Sequence, residues 1–270
     1  GYKRLDIFQE NTINETWSQV LPSDLIEKMR AFSTEKALPM RALCFSAYCY
    51  MLSNLGYEQD ITLGLVTNTR PLGKDSDKLL GCFLNTVPFR CDVDQNVSAV
   101  DFVQEINQRI NRQKAAERLP LYEIARINGE AMQGENPFFD ALFNFVDFYV
   151  YDDLAGEETT TEGVEEDAPA AIGGHEVTNT HLDFTINGTG GDLTVNVSLR
   201  RALKADINSQ RFYNCYVQIL EQMIGVPDAD LSAVNMLSST EEETLKQFSS
   251  ADEIVYPNEA TVASLFEAQV

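Results

Sequence analysis

Residues 79–90 read LLGCFLNTVPFR, and this stretch constrains the fold more than any other. Its apolar flanks ask for burial in an interior strand, yet Asn85 and Thr86 place an amide and a hydroxyl in its middle. Buried polar side chains are costly unless hydrogen-bonded. The pair therefore belongs either to a satisfied internal network or to the wall of a cavity. Such a strand needs other elements to cover it, and the flanking sequence supplies them.

Two short strands are expected near residues 5–8 and 17–20. Ser23 is read as the N-cap of a helix carrying Leu25, Ile26, Met29 and Phe32 on one face. Pro39 opens a second helix. Its Met40, Leu43, Cys44, Ala47, Tyr48, Met51, Leu52 and Leu55 recur at steps of three and four, up to Gly56. So wide an apolar stripe predicts a helix that is mostly buried. Residues 61–66 read as a strand that leaves through Thr67-Asn68-Thr69-Arg70-Pro71, and 79–90 as the next strand.

Ser98 and Asp101 frame a capping box for a helix with Phe102, Val103, Ile106 and Ile110 inside. Arg109, Arg112, Lys114 and Arg118 are placed along the same helix, with Arg112 pointing most clearly away from the apolar stripe. Pro120 begins a short helix, and 141–149 form an aromatic strand. Residues 177–186 and 193–199 read as strands joined by a hairpin at Asn187-Gly188-Thr189-Gly190-Gly191. Asp206 caps a helix with Phe212, Tyr216, Ile219, Leu220 and Met223 inward, and Ser239 caps another that runs to Phe248. Between the strands, 151–173 hold eight acidic residues and no basic one, the composition of a mobile surface loop. The alternation of helices and strands predicts an α/β chain with a mixed sheet flanked by helices.

Charge and cysteine usage exclude several roles. Twenty Lys and Arg against 42 Asp and Glu leave a net charge of −22, which repels nucleic acid and anionic membranes. The five cysteines form no C-x-x-C pair, and His175 and His181 complete no zinc site, so no metal is expected. Cys44 and Cys82 read as small reduced core residues. No run spans a bilayer and no signal peptide is present, so a cytoplasmic chain is expected. A Walker-type phosphate loop fails because Asn68 stands where its first Gly belongs before Gly73-Lys74. His181 and Asp183 suggest one side of a strand, but no nucleophile completes a triad. The residues alone reach a mixed α/β domain with a polar-lined strand and no identifiable catalytic group.

Five stretches together resemble the condensation domain of nonribosomal peptide synthetases. Leu80-Gly81-Cys82-Phe83-Leu84-Asn85-Thr86-Val87-Pro88-Phe89-Arg90 is similar to that family's G-x-F-x-N-T-x-x-x-R motif. Gly64 to Pro71 resembles the strand and Arg that come before it, and Arg118 to Glu123 the motif that comes after, without its Gln-Asp pair. Asn136-Pro137-Phe138-Phe139-Asp140 looks like the N-P-L-F segment, and His181-Leu182-Asp183-Phe184-Thr185 like the later F-D-L-T strand. The resemblance implies a chloramphenicol acetyltransferase-like lobe over 1–237, a linker over 238–260 and the start of an adenylation domain over 261–270. The family's H-H-x-x-x-D-G motif has no counterpart, so the chain resembles the C-terminal lobe alone. Gly1 looks like a cut end.

By this resemblance the parent joins a carrier-bound acyl or peptidyl thioester to a carrier-bound aminoacyl amine. The fragment alone is then expected to be inactive, with no catalytic residue of its own. Asn85, Thr86 and Phe83 are expected on the wall of a tunnel for phosphopantetheine, which is held by partner carrier domains rather than bound directly. Arg70, Arg90 and Asp183 are expected in interlobe or structural roles. Arg109, Arg112 and Arg118 are candidates for carrier docking, the core of an alternative reading as a noncatalytic binding module. A standalone acyltransferase using His181 is the weakest alternative. The implied partners are the N-terminal lobe, upstream and downstream carrier domains and an adenylation domain in cis, with dimerisation through the exposed interlobe face.

Overall fold

The computed structural model describes residues 14–71, 73, 76–130, 136–147, 180–189, 191–200, 208–249 and 261–269. The expected strand at 5–8, the acidic stretch 151–173 and Asp206 lie outside them. The chain divides into two units, residues 1–236 and 237–270. In the first, the order is β1 (Asn14–Val20), α1 (Ser23–Lys36), α2 (Met40–Gly56), β2 (Asp60–Asn68), β3 (Leu84–Asp92), α3 (Ala99–Gln113), α4 (Leu121–Ile127), β4 (Ala141–Asp147), β5 (Leu182–Thr189), β6 (Asp192–Arg200) and α5 (Ser209–Gly225). The second holds α6 (Ser239–Ser249) and α7 (Val262–Glu267), neither with a buried residue.

The six strands form one mixed sheet in the order β1-β6-β5-β4-β2-β3. β4 runs parallel to both β2 and β5, and the other neighbours are antiparallel. Alternation decides its two faces. Leu63, Leu65, Val87, Phe89, Phe143, Phe184, Ile186, Val195 and Val197 point to one face and join the main core. α2 crosses this face, packed by α1, α3, α5 and the strands. Phe45, Tyr48, Phe143, Phe184 and Tyr216 make a chain of ring contacts with centroids 4.7–5.5 Å apart. Such pairs add about 0.5–1.5 kcal/mol beyond their burial.

α2 is enclosed on nearly all sides, as its stripe predicts. Its polar side chains find partners inside the fold: Ser46 donates to the Ala42 carbonyl (2.7 Å), and Tyr50 to those of Leu231 and Val234 (both 2.8 Å). On the opposite sheet face Ala125, Phe139 and Leu142 are also buried, apart from the main core. There the Phe139 ring lies on Gly64, so closely that a Cβ on Gly64 would meet ring atoms at 2.8 and 2.9 Å.

Several local expectations are corrected. Ser23 lies inside α1, whose N-cap Pro22 makes no side-chain cap. α2 ends through Tyr57 in the left-handed region (φ 54°) rather than through Gly56. The strand expected over 79–90 begins only at Leu84, and Leu79, Leu80 and Cys82 are exposed. Arg70 draws residues 76–79 into a loop instead. α3 stops at Gln113, so Lys114 and Arg118 sit in the turns that follow. α5 is capped by Asn208, whose side chain accepts from the N–H groups of Gln210 and Arg211. The α6 turn is closed by Ser238, whose hydroxyl accepts from Glu241 N–H. Ser98 caps α3 by accepting the Asp101 N–H, but the Asp101 carboxylate takes the Ser98 hydroxyl rather than its N–H, so the expected box closes only by half.

Candidate functional site

The polar strand opens at the mouth of the β2–β3 hairpin, where Asn68 pairs with Leu84. One residue further, Thr69 donates both its N–H (2.7 Å) and its hydroxyl (2.8 Å) to the Phe83 carbonyl. Arg70 donates to the carbonyls of Ser76 (2.9 Å) and Leu79 (2.7 Å), and its guanidinium sits 4.3 Å from the Phe83 ring centre. Arg70 is thus the peg around which the loop closes. Leu80, fully exposed, and Leu84, 55% exposed, leave apolar surface beside it.

Asn85 uses both amide hydrogens. It donates to Glu117 O (2.7 Å) and Leu119 O (2.9 Å) in the turns after α3. Thr67 donates to the Asn85 carbonyl at 3.2 Å. The half-buried amide is thus satisfied within the chain. Thr86 is half-buried opposite Val66 and makes no side-chain hydrogen bond among the described residues. Nearby, Arg41 donates to Val66 O at 3.2 Å, and burial pulls its guanidinium below the ordinary arginine range.

β3 is an edge strand, and α3 blunts its edge. Gln113 donates to Pro88 O (2.6 Å) and Arg109 to Arg90 O (3.1 Å), so carbonyls that would recruit a further strand are occupied. Gln113 and Thr69 went unnoticed in the sequence because nothing local distinguishes them from solvated residues. Between α3 and β3 lie two adjoining open grooves of about 450 and 460 Å³. The first is lined by Phe89, Arg90, Glu105, Arg109, Arg112 and Gln113, and Asp60 and Asp92 extend the second. Arg109 is held by Glu105 (2.6 Å), and Arg90 forms a two-pronged pair with Asp60, with Nε at 2.8 Å. That pair holds the Asp60 carboxyl below the usual carboxylate range. Three guanidiniums therefore face three carboxylates, and only Arg112 has no carboxylate partner among the described residues. Arg118 does not line either groove.

His181 and Asp183 do not act together. His181 precedes β5 and turns its Nε2 to Asp140 Oδ1 at 3.5 Å, with its Nδ1 buried and without a partner among the described residues. The Asp183 carboxylate accepts the Thr180 hydroxyl. Among the described residues no group of three metal-ligating side chains converges, and no helix is long and apolar enough to cross a membrane.

The model of the condensation domain matches residues 4–246, and the chain belongs to that family. Its curated relatives include bacitracin synthase 1 of Bacillus licheniformis, 24% identical over 99% of this chain. Malpibaldin synthetase of Mortierella alpina is 27% identical over 93%. The chain spans 5% of the length of each. Among solved structures, holo-AB3403, a four-domain nonribosomal peptide synthetase, superimposes with a TM-score of 0.69 at 13% identity, over 86% of this chain and 18% of that one. The condensation domain of the monacolin K polyketide synthase MokA gives 0.67 at 16% identity, over 82% of this chain and 49% of its own. These likenesses establish the fold, that of a condensation domain, with a mixed sheet flanked by helices.

Proposed function

We propose that these residues form the C-terminal, acceptor-side lobe of a peptide-bond-forming condensation domain. One observation carries the reading: a condensation-family fold that matches about half of a solved condensation domain, in 270 residues without a His-His pair. In the complete domain the amine of a carrier-bound aminoacyl group attacks the carbonyl of a carrier-bound thioester. The C–N bond forms, the C–S bond breaks, and the proton leaves with a base supplied by the other lobe.

In this reading Phe83 and Thr86 stand on the wall of the phosphopantetheine tunnel, and Asn85 fixes that wall to the turns after α3. Arg70 sets the loop that carries Phe83. Arg90 and Asp183 hold their own strands through Asp60 and Thr180. The exposed Leu79, Leu80 and Leu84 supply the face that meets the N-terminal lobe, or a second copy when that lobe is absent. Residues 238–270 lead toward an adenylation domain in cis.

The test is reconstitution. Carrier-loaded donor and acceptor are mixed with this chain, with and without a separately produced lobe bearing the His-His motif. Product is expected only with both pieces, and turnover by this chain alone sinks the reading. A second reading, docking of an acidic carrier, is favoured by Arg112, whose charge has no carboxylate partner among the described residues. Arg112→Glu is expected to weaken carrier binding in a titration; unchanged binding removes it.

A further inference from the structure

The sheet opens at the end where the β2–β3 hairpin has its mouth. Among the described residues β2 meets β4 at Gly64–Leu142 and Leu65–Phe143 and no further, although β4 follows β5 to Asp147 and β2 follows β3 to Asn68. The two strands therefore part beyond Leu65. The bond from Thr69 N–H to Phe83 O makes that pair a hydrogen-bonded one, so alternation turns the carbonyl of Val66 away from β3, toward the parted side. Arg41, from the first turn of α2, donates to that carbonyl at 3.2 Å. On the other flank of the hairpin mouth, Asn85 pins the backbone of Glu117 through its carbonyl.

Arg41 and Glu117 are both half-buried, and neither makes an ion pair among the described residues. The Val66 carbonyl is the one acceptor of the Arg41 guanidinium there, and its Nε has none. The Glu117 carboxylate accepts no hydrogen bond from a described residue. The two charges nevertheless feel each other, since Glu117 pushes up the guanidinium that burial pulls down. Opposite charges withdrawn from water, close but out of contact, are costly unless something bridges them.

We propose that Arg41 and Glu117 hold the acceptor's aminoacyl group between them, its carbonyl oxygen accepting from the guanidinium and its amine donating to the carboxylate. The inference rests on the peptide-bond-forming function proposed above and names residues that bind its acceptor. The chemistry of the pair selects this ligand. A carboxylate or phosphate would meet Arg41 but be repelled by Glu117, and a simple ammonium would meet Glu117 but leave Arg41 unanswered. An α-aminoacyl group carries an N–H donor and a carbonyl acceptor on neighbouring atoms, so it answers both with no net charge imbalance.

The test is titration of the 270-residue chain with glycinamide, which carries the amine and the carbonyl, followed through the NMR signals of the Arg41 Nε–H and the Asn85 side-chain amide. Saturable shifts are expected at both. Acetamide, without the amine, and ethylamine, without the carbonyl, are expected to bind at least tenfold more weakly. Glu117→Gln leaves the backbone carbonyl held by Asn85 in place and is expected to weaken glycinamide binding about tenfold, as is Arg41→Met, read at Asn85. Lys28→Gln, on the exposed side of α1, leaves it unchanged. Urea unfolding of each variant separates lost binding from lost folding. A pair bridged by water alone gives no shift at millimolar glycinamide, and that result overturns the inference. Equal shifts from acetamide or ethylamine overturn it too, as does binding that Glu117→Gln leaves intact. None of these outcomes depends on reconstituted peptide-bond formation, so the two proposals fail separately.

Discussion

Gly64→Ala tests whether the second sheet face is packed as tightly as the structure describes. A Cβ at Gly64 would stand 2.8 and 2.9 Å from ring atoms of Phe139, closer than real Cβ contacts come. The ring is 5% exposed and has little room to retreat. Forcing a methyl group into a filled site costs about 1–3 kcal/mol. Replacing Gly in a strand returns about 0.5–1 kcal/mol of backbone entropy. The clash wins, and the expected loss is about 1–2 kcal/mol, or a fall in Tm of roughly 2–8 °C for a unit of this size. Urea unfolding followed by far-UV circular dichroism measures it. The cause is isolated by a cycle with Phe139→Ala. Alone, that change opens a cavity and costs about 3–5 kcal/mol. In the Gly64→Ala background the new methyl group enters the vacated space, so the two losses should fall short of additivity by about 1 kcal/mol or more. Gly225→Ala, with no atom within 4 Å of its Cβ, is the control and should be neutral or stabilising. Strict additivity in the cycle, or a Gly64→Ala variant as stable as the parent, refutes the reasoning.

Three further outcomes follow from named contacts. Asn85→Ala removes two hydrogen bonds to the turns after α3 and should cost about 1–3 kcal/mol, with faster amide exchange confined to residues 116–119. Burial pushes the Cys44 thiol up to about 12 and raises that of Cys49, and Cys91 and Cys215 are buried as well. In native protein Cys82 alone should therefore react promptly with a thiol reagent, and the other four only on unfolding. Burial also raises the phenols of Tyr48 and Tyr216 well above their ordinary value near about 10. A raised folded pKa means that their stabilisation is intact below the unfolded pKa and is lost as pH climbs toward the folded one. Tyrosinate absorbance from these two should appear together with cooperative alkaline unfolding; gradual titration of a folded chain would contradict it.

Much of the fold is written in periodicity. α2 announces its enclosure by apolar residues at three- and four-residue steps, and the Ser98–Asp101 cap marks the start of α3 one residue away. The errors concentrate where a distant contact decides. Leu79 and Leu80 look like strand residues, but Arg70 pulls the chain around itself and leaves them outside the sheet. The partners of Asn85, the carbonyls of Glu117 and Leu119, are backbone atoms that no sequence pattern displays. The arginines at 109, 112 and 118 look like one basic face. Glu105 and Asp60 offset two guanidiniums on that surface, and the end of α3 removes Arg118 from it.

The outward face of the sheet shows the same division at finer grain. Along β5 and β6 the alternation of Phe184, Thr185, Ile186, Asn187 and of Thr194, Val195, Asn196, Val197 already separates an inner face from an outer one. What alternation leaves open is which strands stand together. Asn144, Thr185 and Asn196 form an outward row because β4 lies parallel to β5, with Asn144 opposite Thr185, and because β6 sets Asn196 against Thr185 on the other side. A shift of one residue in either register would bring Phe143 or Val197 beside Thr185 and turn apolar side chains out of the core. The burial of Phe143, Phe184 and Val197 thus holds the amides and hydroxyls in line. The outward-facing polar side chains and the core that stabilises this unit are consequences of one register.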